Sequence, residues 1–196
     1  MAEAERIGVL GGTFDPVHTA HIVVAAEIRD RLELDRVLLV VAGDPWQKRG
    51  KVVASAADRL ALARAAVEGI DGLEVSSVEV ERDGASVTAD TLEALQAPGR
   101  TLFLVLGADA VANMGTWRRL DDTKHLAEIV VVERAGDLEV HPPGEGWRVH
   151  HVSVPRLDIS STDIRARLAA GRPVAGLVPP AVVAEITGRG LYTGKR

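Results

Sequence analysis

Two histidines stand three residues apart in the segment 10–21 (LGGTFDPVHTAH), soon after a pair of glycines. Gly11 and Gly12 follow a short apolar run, where the absence of side chains lets the backbone turn sharply and approach a ligand. His18 and His21 lie at i and i+3 at the start of a predicted helix, so both imidazoles can face one point. Helix N-termini favour anions, and unbonded N–H groups there would add to the two imidazole donors. The segment therefore predicts an anion site suited to phosphate.

Two other interpretations of these residues stay open. The glycines and histidines also fit a plain glycine turn that leads into a helix with two incidental histidines. A zinc site is less favoured, because histidines that bind metal from a helix are usually spaced i and i+4, and no third ligand is evident. No metal-binding residue is therefore predicted. The chain has no cysteine, which excludes a disulfide framework, a thiolate zinc site and a cysteine nucleophile.

The composition fits one globular domain over residues 1–196. With 46% apolar and 26% charged residues, a chain of 196 residues can bury a full core. The formal net charge of -5 argues against a nucleic-acid partner, because that affinity depends mainly on clustered Lys and Arg. The sequence shows neither a signal-peptide pattern nor an apolar run long enough for a membrane span. We therefore expect a cytoplasmic protein without a membrane partner.

The elements that must position the histidines alternate along the chain. Strands are predicted at 6–10, 36–42, 73–80, 101–107, 127–134 and, as an edge strand, 147–154. Helices are predicted within 22–34, 56–70, 88–99 and 158–171. This alternation predicts an α/β fold of the Rossmann-like, doubly wound type, with a mainly parallel sheet and helices on both faces. In such sheets ligands bind beyond the carboxyl ends of the strands, which is where segment 10–21 would lie.

Two strings carry a resemblance to a known family. The string GGTFDPVHTAH resembles the signature of the HxGH nucleotidyltransferases, in particular the nicotinate mononucleotide adenylyltransferases, with Ala20 where the family normally has glycine. The segment 158–171 (DISSTDIRARLAAG) is similar to the family's second signature, ISSTxIR. The resemblance implies that the C-terminal helical part, about 158–196, carries this signature and packs on the sheet.

The resemblance also implies a reaction. This family transfers the adenylyl group of ATP to nicotinate mononucleotide in NAD biosynthesis, giving deamido-NAD and pyrophosphate. Mg²⁺ would be bound with ATP, and no tightly bound organic cofactor is expected. A homo-oligomer stays open, because the family often forms dimers or larger assemblies. Two alternatives remain: another HxGH nucleotidyltransferase, similar to phosphopantetheine adenylyltransferase, and a nucleotide-binding sensor with weakened catalysis.

On this resemblance the catalytic residues are His18, His21 and Arg165. A Ser/Thr run can cap a helix and donate hydroxyls, and the Arg165 guanidinium offers a rigid fork to phosphate oxygens. Lys48 matches the lysine of a loop that usually reads PPHK in relatives. The residues expected to bind ATP and its phosphates are Gly11, Gly12, Thr13, Phe14, Lys48, Ser160, Ser161 and Thr162.

The acceptor side is assigned from the middle of the chain. The segment 86–92 (SVTADTL) resembles the family's Tyr-Thr-x-Asp-Thr-Leu, with Val87 in place of the aromatic residue and Asp90 expected to brace the fold. The segment 106–120 is similar to the family's Gly-x-Asp…Trp region, whose tryptophan stacks on the nicotinate ring. The residues expected to bind the nicotinate nucleotide are Thr88, Gly107, Asp109, Trp117 and Arg134.

Overall fold

A sheet of six parallel strands forms the centre of the molecule. The fold is given by a computed structural model, which describes residues 4–45, 50, 52–134 and 140–194. The strands are β1 Glu5–Gly12, β2 Arg36–Val41, β3 Leu73–Ser76, β4 Arg100–Gly107, β5 Glu128–Arg134 and β6 Val149–Val154. Their order in the sheet is β3-β2-β1-β4-β5-β6. Strands β2 and β3 therefore lie on one side of β1, and β4, β5 and β6 lie on its other side, with β1 and β4 as parallel neighbours. A crevice is expected at the carboxyl ends of β1 and β4, because the segments that follow these two strands run in opposite directions.

Helices cover both faces of the sheet, which confirms the predicted Rossmann-like α/β fold. They are α1 Thr19–Arg31, α2 Ala56–Val67, α3 Val78–Glu81, α4 Thr88–Leu95, α5 Ala108–Ala112, α6 Leu120–Leu126, α7 Ser161–Ala169 and α8 Pro180–Gly188. Side chains of a strand alternate between the two faces, so the sheet separates two apolar cores. One core contains buried residues of α1, α2, α7 and α8, and the other contains buried residues of α4 and α5.

The predicted strand 73–80 is wrong over its second half. β3 ends at Ser76, and residues 78–81 form the short helix α3. The Ser77 carbonyl accepts hydrogen bonds from the backbone N–H groups of Val80 and Glu81, at 2.8 and 2.9 Å, which close a helical turn. This turn passes so close to the end of β2 that a Cβ on Gly43 would lie 2.1 Å from the Glu79 carbonyl oxygen. The chain therefore leaves the sheet here and runs beside the carboxyl end of β2.

The C-terminal helices pack against the first core and reach the start of α1. Ile164 of α7 and Ile186 of α8 are buried there. The Thr19 backbone N–H donates to the Leu177 carbonyl at 3.0 Å, and the Thr19 hydroxyl donates to the Gly176 carbonyl at 2.9 Å. The expectation of unbonded N–H groups at the start of α1 is therefore wrong for Thr19, because the C-terminal part occupies that donor. None of the helices in the described part combines the length and apolar character that crossing a bilayer requires.

Candidate active site

The two predicted histidines lie against each other where the histidine turn, residues 13–18 between β1 and α1, enters the helix. His18 is the residue before the helix, and its ring stacks on that of His21 with centroids 3.7 Å apart and planes 24° apart. The His18 backbone N–H donates to Nδ1 of His21 at 3.2 Å. A neutral imidazole that accepts at Nδ1 carries its proton at Nε2. In the neutral ring, this contact therefore makes Nε2 the protonated nitrogen of His21.

A buried aromatic ring supports this turn from below. Phe14 adopts a left-handed backbone conformation with φ of 50°, and its ring meets His21 edge-on with centroids 5.0 Å apart. A Cβ on Gly12 would lie 2.7 Å from that ring, so the close packing requires glycine at position 12. Phe14 is only 2% exposed, so its ring packs in the core and does not face solvent. At Gly11, by contrast, a Cβ would meet no atom within 4 Å, which leaves open space above the end of β1.

Helix α7 is fastened to the same turn by two hydrogen bonds. The Ser161 hydroxyl donates to the Pro16 carbonyl at 2.9 Å, and Nη1 of Arg165 donates to the Asp15 carbonyl at 2.7 Å. The two signatures, which lie about 145 residues apart in the chain, therefore meet in space. Their meeting places the Arg165 guanidinium beside the histidine turn.

The other predicted phosphate ligands differ in what their side chains do. The Ser160 hydroxyl accepts from the Asp163 backbone N–H at 3.1 Å and so caps α7. The Thr162 hydroxyl accepts a long contact of 3.4 Å from Nη2 of Arg165. Lys48 lies outside the described residues. Among the predicted phosphate ligands of α7, Ser161 and Arg165 therefore contact the histidine turn directly.

Two charged residues beneath the turn escaped the sequence analysis. Asp15 is 3% exposed, and its carboxylate lies in the interior of the protein. Arg59 of α2 is also buried; its Nη1 donates to the Thr13 carbonyl at 2.7 Å, and its Nη2 donates to the Gly43 carbonyl at 3.3 Å. Burial lowers the pKa of Arg59, while the nearby Asp15 charge acts in the opposite direction. Arg59 therefore holds together the loops that follow β1 and β2.

A cleft of about 210 Å³ opens at the carboxyl ends of β1 and β4. Its walls combine the turn after β1 with predicted acceptor ligands and apolar strand ends. They include Gly11, Gly12, Thr13, Thr88, Trp117, Val9, Leu104 and Leu106. The cleft thus brings together residues that the sequence analysis assigned separately to ATP and to the nicotinate nucleotide.

Two of the remaining predicted acceptor ligands, Gly107 and Asp109, do not line this cleft. Gly107 and Asp109 are exposed at the end of β4 and the start of α5, and their neighbours Leu106 and Ala110 line the cleft instead. Arg134 is the last residue of β5, and its side chain lies outside the described part of the structure. Gly107, Asp109 and Arg134 remain predicted ligands of the nicotinate nucleotide.

An ion-pair network at Arg119 connects the segment that carries Trp117 to α4. Arg119, with φ of 57°, binds Asp90 and Glu93 of α4 and also Asp122 of α6, the last at 2.7 Å. The Glu93, Asp122 and Asp90 carboxylates raise the pKa of Arg119. Asp90 thus braces the fold, as predicted, by joining the helix that starts at Thr88 to the segment that carries Trp117.

Comparison with known proteins places the chain among its relatives. A family model described as cytidylyltransferase-like matches residues 9–167. The chain belongs to this cytidylyltransferase-like family. Among curated relatives, a "Probable nicotinate-nucleotide adenylyltransferase" from Roseiflexus sp. (strain RS-1) is 47% identical, covering 95% of this chain and 97% of the relative. A protein of the same name from Corynebacterium kroppenstedtii is 44% identical over 95% of this chain and 90% of its own length.

Solved structures agree with the family assignment at the level of the fold. The Plasmodium falciparum nicotinic acid mononucleotide adenylyltransferase complexed with NaAD superposes with a TM-score of 0.77 at 18% identity, covering 96% of this chain and 97% of that chain. The same enzyme complexed with APC gives a TM-score of 0.75 at 19% identity, with the same coverage. The resemblance first seen in the two signatures is therefore confirmed, and so is the fold that it implied.

Proposed function

We propose that this chain transfers the adenylyl group of ATP to nicotinate mononucleotide, giving deamido-NAD and pyrophosphate. The observation that carries the proposal is the shared cleft, where Thr88 and Trp117 face the glycine turn after β1. The names of the curated relatives favour this reaction over a phosphopantetheine adenylyltransferase and over a catalytically weakened sensor.

The cleft suits a flat ring that carries an anionic group. Trp117 and the apolar ends of the strands offer surfaces on which an aromatic ring can stack. Thr88 is the first residue of α4, so its hydroxyl and the N-terminal N–H groups of that helix can donate to a carboxylate. Glu79 also lines the cleft, and its carboxylate accepts a hydrogen bond of 2.6 Å from the Thr91 hydroxyl. The Thr88 hydroxyl and the N-terminal N–H groups of α4 are the expected donors to the ring carboxylate.

The reaction itself is an in-line displacement at phosphorus. An oxygen of the acceptor's 5′-phosphate forms a bond to the α-phosphorus of ATP, and the bond from that phosphorus to the β-phosphate bridging oxygen breaks. The acceptor phosphate is already anionic at neutral pH, so no protein base has to remove a proton. The chain's task is to align the two nucleotides and to stabilise the charge that develops on phosphate oxygens.

The histidine turn and α7 divide that task between them. His18 and His21 contact the α- and β-phosphate oxygens, and Nε2–H of His21 supplies a donor whose orientation is already fixed. Arg165, together with the Ser161 region of α7 and Lys48, holds the departing pyrophosphate. Fixed donors of this kind need no reorganisation as the charge shifts. Their interactions are also stronger in a site from which water is excluded.

A divalent ion would enter this site together with ATP. Across the described residues, no group of three or more imidazole or carboxylate ligands is placed to hold a metal ion. Mg²⁺ commonly keeps several waters and binds through substrate phosphates. We accordingly propose Mg·ATP as the substrate.

The deciding experiment measures initial rates of pyrophosphate release from Mg·ATP with three acceptors. These acceptors are nicotinate mononucleotide, nicotinamide mononucleotide and phosphopantetheine. We expect rapid release with nicotinate mononucleotide and much slower release with the other two. Faster release with phosphopantetheine would assign a different acceptor, and ATP binding without release from any acceptor would support the sensor. Circular dichroism of the same sample shows that the protein is folded.

A further inference from the structure

The Tyr192 side chain, near the C-terminus, reaches the turn between β1 and α1. The Tyr192 hydroxyl donates to Oδ1 of Asp15 at 2.7 Å, across 177 residues of sequence. Tyr192 is only 8% exposed and adopts a left-handed backbone conformation with φ of 58°, which is costly for a residue with a side chain. It also lies beyond residues 9–167, the part matched by the family model. The surrounding structure must therefore hold Tyr192 in place.

Asp15 is the point where several parts of the site converge. Its Oδ1 accepts from the Ala54 backbone N–H at 3.1 Å, and its Oδ2 accepts from the Val53 backbone N–H at 2.8 Å. With the Tyr192 hydroxyl, three donors fix this buried carboxylate. A buried carboxylate needs such partners, because an ionised group without them would be strongly destabilised.

Asp15 in turn orients Arg165. Nη1 of Arg165 donates to the Asp15 carbonyl at 2.7 Å and lies 3.9 Å from Oδ2 of the same residue. The Arg165 side chain remains 21% exposed, so part of the guanidinium stays accessible while Nη1 is fixed. Asp15 thus connects the segment after β2, the C-terminal segment and the arginine of the second signature.

We propose that Tyr192 is a positioning residue for adenylyl transfer, which locks Asp15 and thereby aligns Arg165 with the departing pyrophosphate. This inference rests on the proposed function of the phosphate site. Burial, followed by the hydrogen bond to Asp15, raises the pKa of Tyr192. The phenol therefore stays protonated near neutral pH and remains the donor. Removing this donor leaves the carboxylate with the two backbone donors of Val53 and Ala54, which loosens Asp15 and shifts Arg165 relative to the phosphates.

The test is Tyr192→Phe, which removes the hydroxyl but keeps the ring that fills the core. We expect kcat/KM for Mg·ATP to fall about tenfold, since hydrogen bonds to charged groups contribute more than neutral ones. The Kd for Mg·ATP, measured by calorimetry, should rise, while KM for the acceptor should stay unchanged. The matched control is Thr187→Val, which removes a hydroxyl that bonds the Val183 carbonyl in the same C-terminal part. Equal behaviour of the two variants would overturn the proposal.

A double-mutant cycle with Asp15→Asn tests the route through Asp15. If Tyr192 acts through this carboxylate, the loss in the double variant is smaller than the product of the two single losses. Losses that multiply, or an equal rise in KM for both substrates, would assign Tyr192 a general structural role. If Asp15→Asn does not fold, the comparison of Tyr192→Phe with Thr187→Val decides alone. If the wild type releases no pyrophosphate, the proposed function fails, and Mg·ATP binding by the same two variants still decides this inference.

Discussion

At the scale of single residues, the geometry of His21 explains why its two ring nitrogens cannot exchange roles. The backbone N–H of His18 occupies Nδ1, so the helix cap fixes both the tautomer and the direction of Nε2–H. The same side chain therefore closes the first turn of α1 and offers a donor to phosphate. A substitution can separate these two roles.

Replacement of His21 by Asn or Gln performs that separation. An Asn oxygen can still accept from the His18 N–H, but its amide does not reach the position of Nε2. We expect His21→Asn to fold normally and to lower kcat about 100-fold or more, as loss of one preorganised donor does elsewhere. The longer Gln should recover part of the rate, because its amide extends further. The control is His125→Asn, at an exposed residue of α6. Near-normal turnover of His21→Asn would remove the Nε2 donor from the mechanism.

Trp117 is the second residue whose role can be isolated. In Trp117→Leu we expect KM for nicotinate mononucleotide to rise about fivefold, because ring stacking is lost while an apolar side chain remains. KM for Mg·ATP should not change. Trp147→Leu serves as the control, because Nε1 of Trp147 donates to the Pro143 carbonyl at 2.8 Å and this residue does not line the cleft. Steady-state pyrophosphate release measures both constants, and an effect on Mg·ATP alone would contradict the assignment of Trp117.

At the scale of elements, Arg119 fixes the distance between α4 and the segment that carries Trp117. Arg119→Ala removes contacts to carboxylates on both α4 and α6, so we expect KM for the acceptor to rise severalfold with KM for Mg·ATP unchanged. The network is exposed, so high salt should weaken it and reduce the difference between variant and wild type. Arg31→Ala is the matched control, since it breaks an exposed pair with Glu27 on α1. A rise in both KM values would instead indicate a general loosening of the site.

Local patterns of the sequence were sufficient for the sheet but not for every element. The apolar runs of β1 and β4 have one reasonable assignment, because buried parallel strands require such runs. The segment 77–81 (SVEVE) alternates as a strand does, yet it forms a helical turn. This turn packs closely against Gly43, a contact between residues far apart in the chain. Periodicity carries no information about such a contact.

The candidate site, like the fold, could be predicted from the sequence only in part. The two signatures predicted His18, His21 and Arg165, and the structure brings all three to one turn. Arg59, however, stands in α2 with the spacing of an ordinary polar helix residue, and it is buried because carbonyls of separate loops converge on it. The partner of Asp15 at position 192 is equally invisible from local sequence. These supporting contacts arise from topology, which the sequence patterns specify only in outline.

At the scale of the whole molecule, the C-terminal part both completes the site and closes the fold. α8 packs against α2, and Arg189 extends this contact by donating to Oδ1 of Asp58 at 3.1 Å. Asp58 also accepts from the Ser55 hydroxyl at 2.6 Å at the start of α2. One carboxylate thus joins a helix cap to the docking of the C-terminal part, so its protonation should affect global stability.

The pH dependence of unfolding tests this connection. The Ser55 hydrogen bond, followed by Arg189, lowers the pKa of Asp58 below its ordinary value of 3.8. The unfolded chain therefore binds this proton more tightly than the folded chain. The stabilisation is present above the ordinary pKa and is lost as the pH falls through the folded value.

In Asp58→Asn we expect Tm at neutral pH to fall by roughly 1–3 °C, the range for a weakened helix cap in a chain of this size. The difference from wild type should shrink below pH 3.8, because the wild type then loses the same charge. Glu27→Gln, which breaks an exposed pair on α1, is the control and should change Tm less. Differential scanning calorimetry across this range measures the effect, and a Tm difference that stays constant into acid would show that the Asp58 charge does not hold the C-terminal part in place.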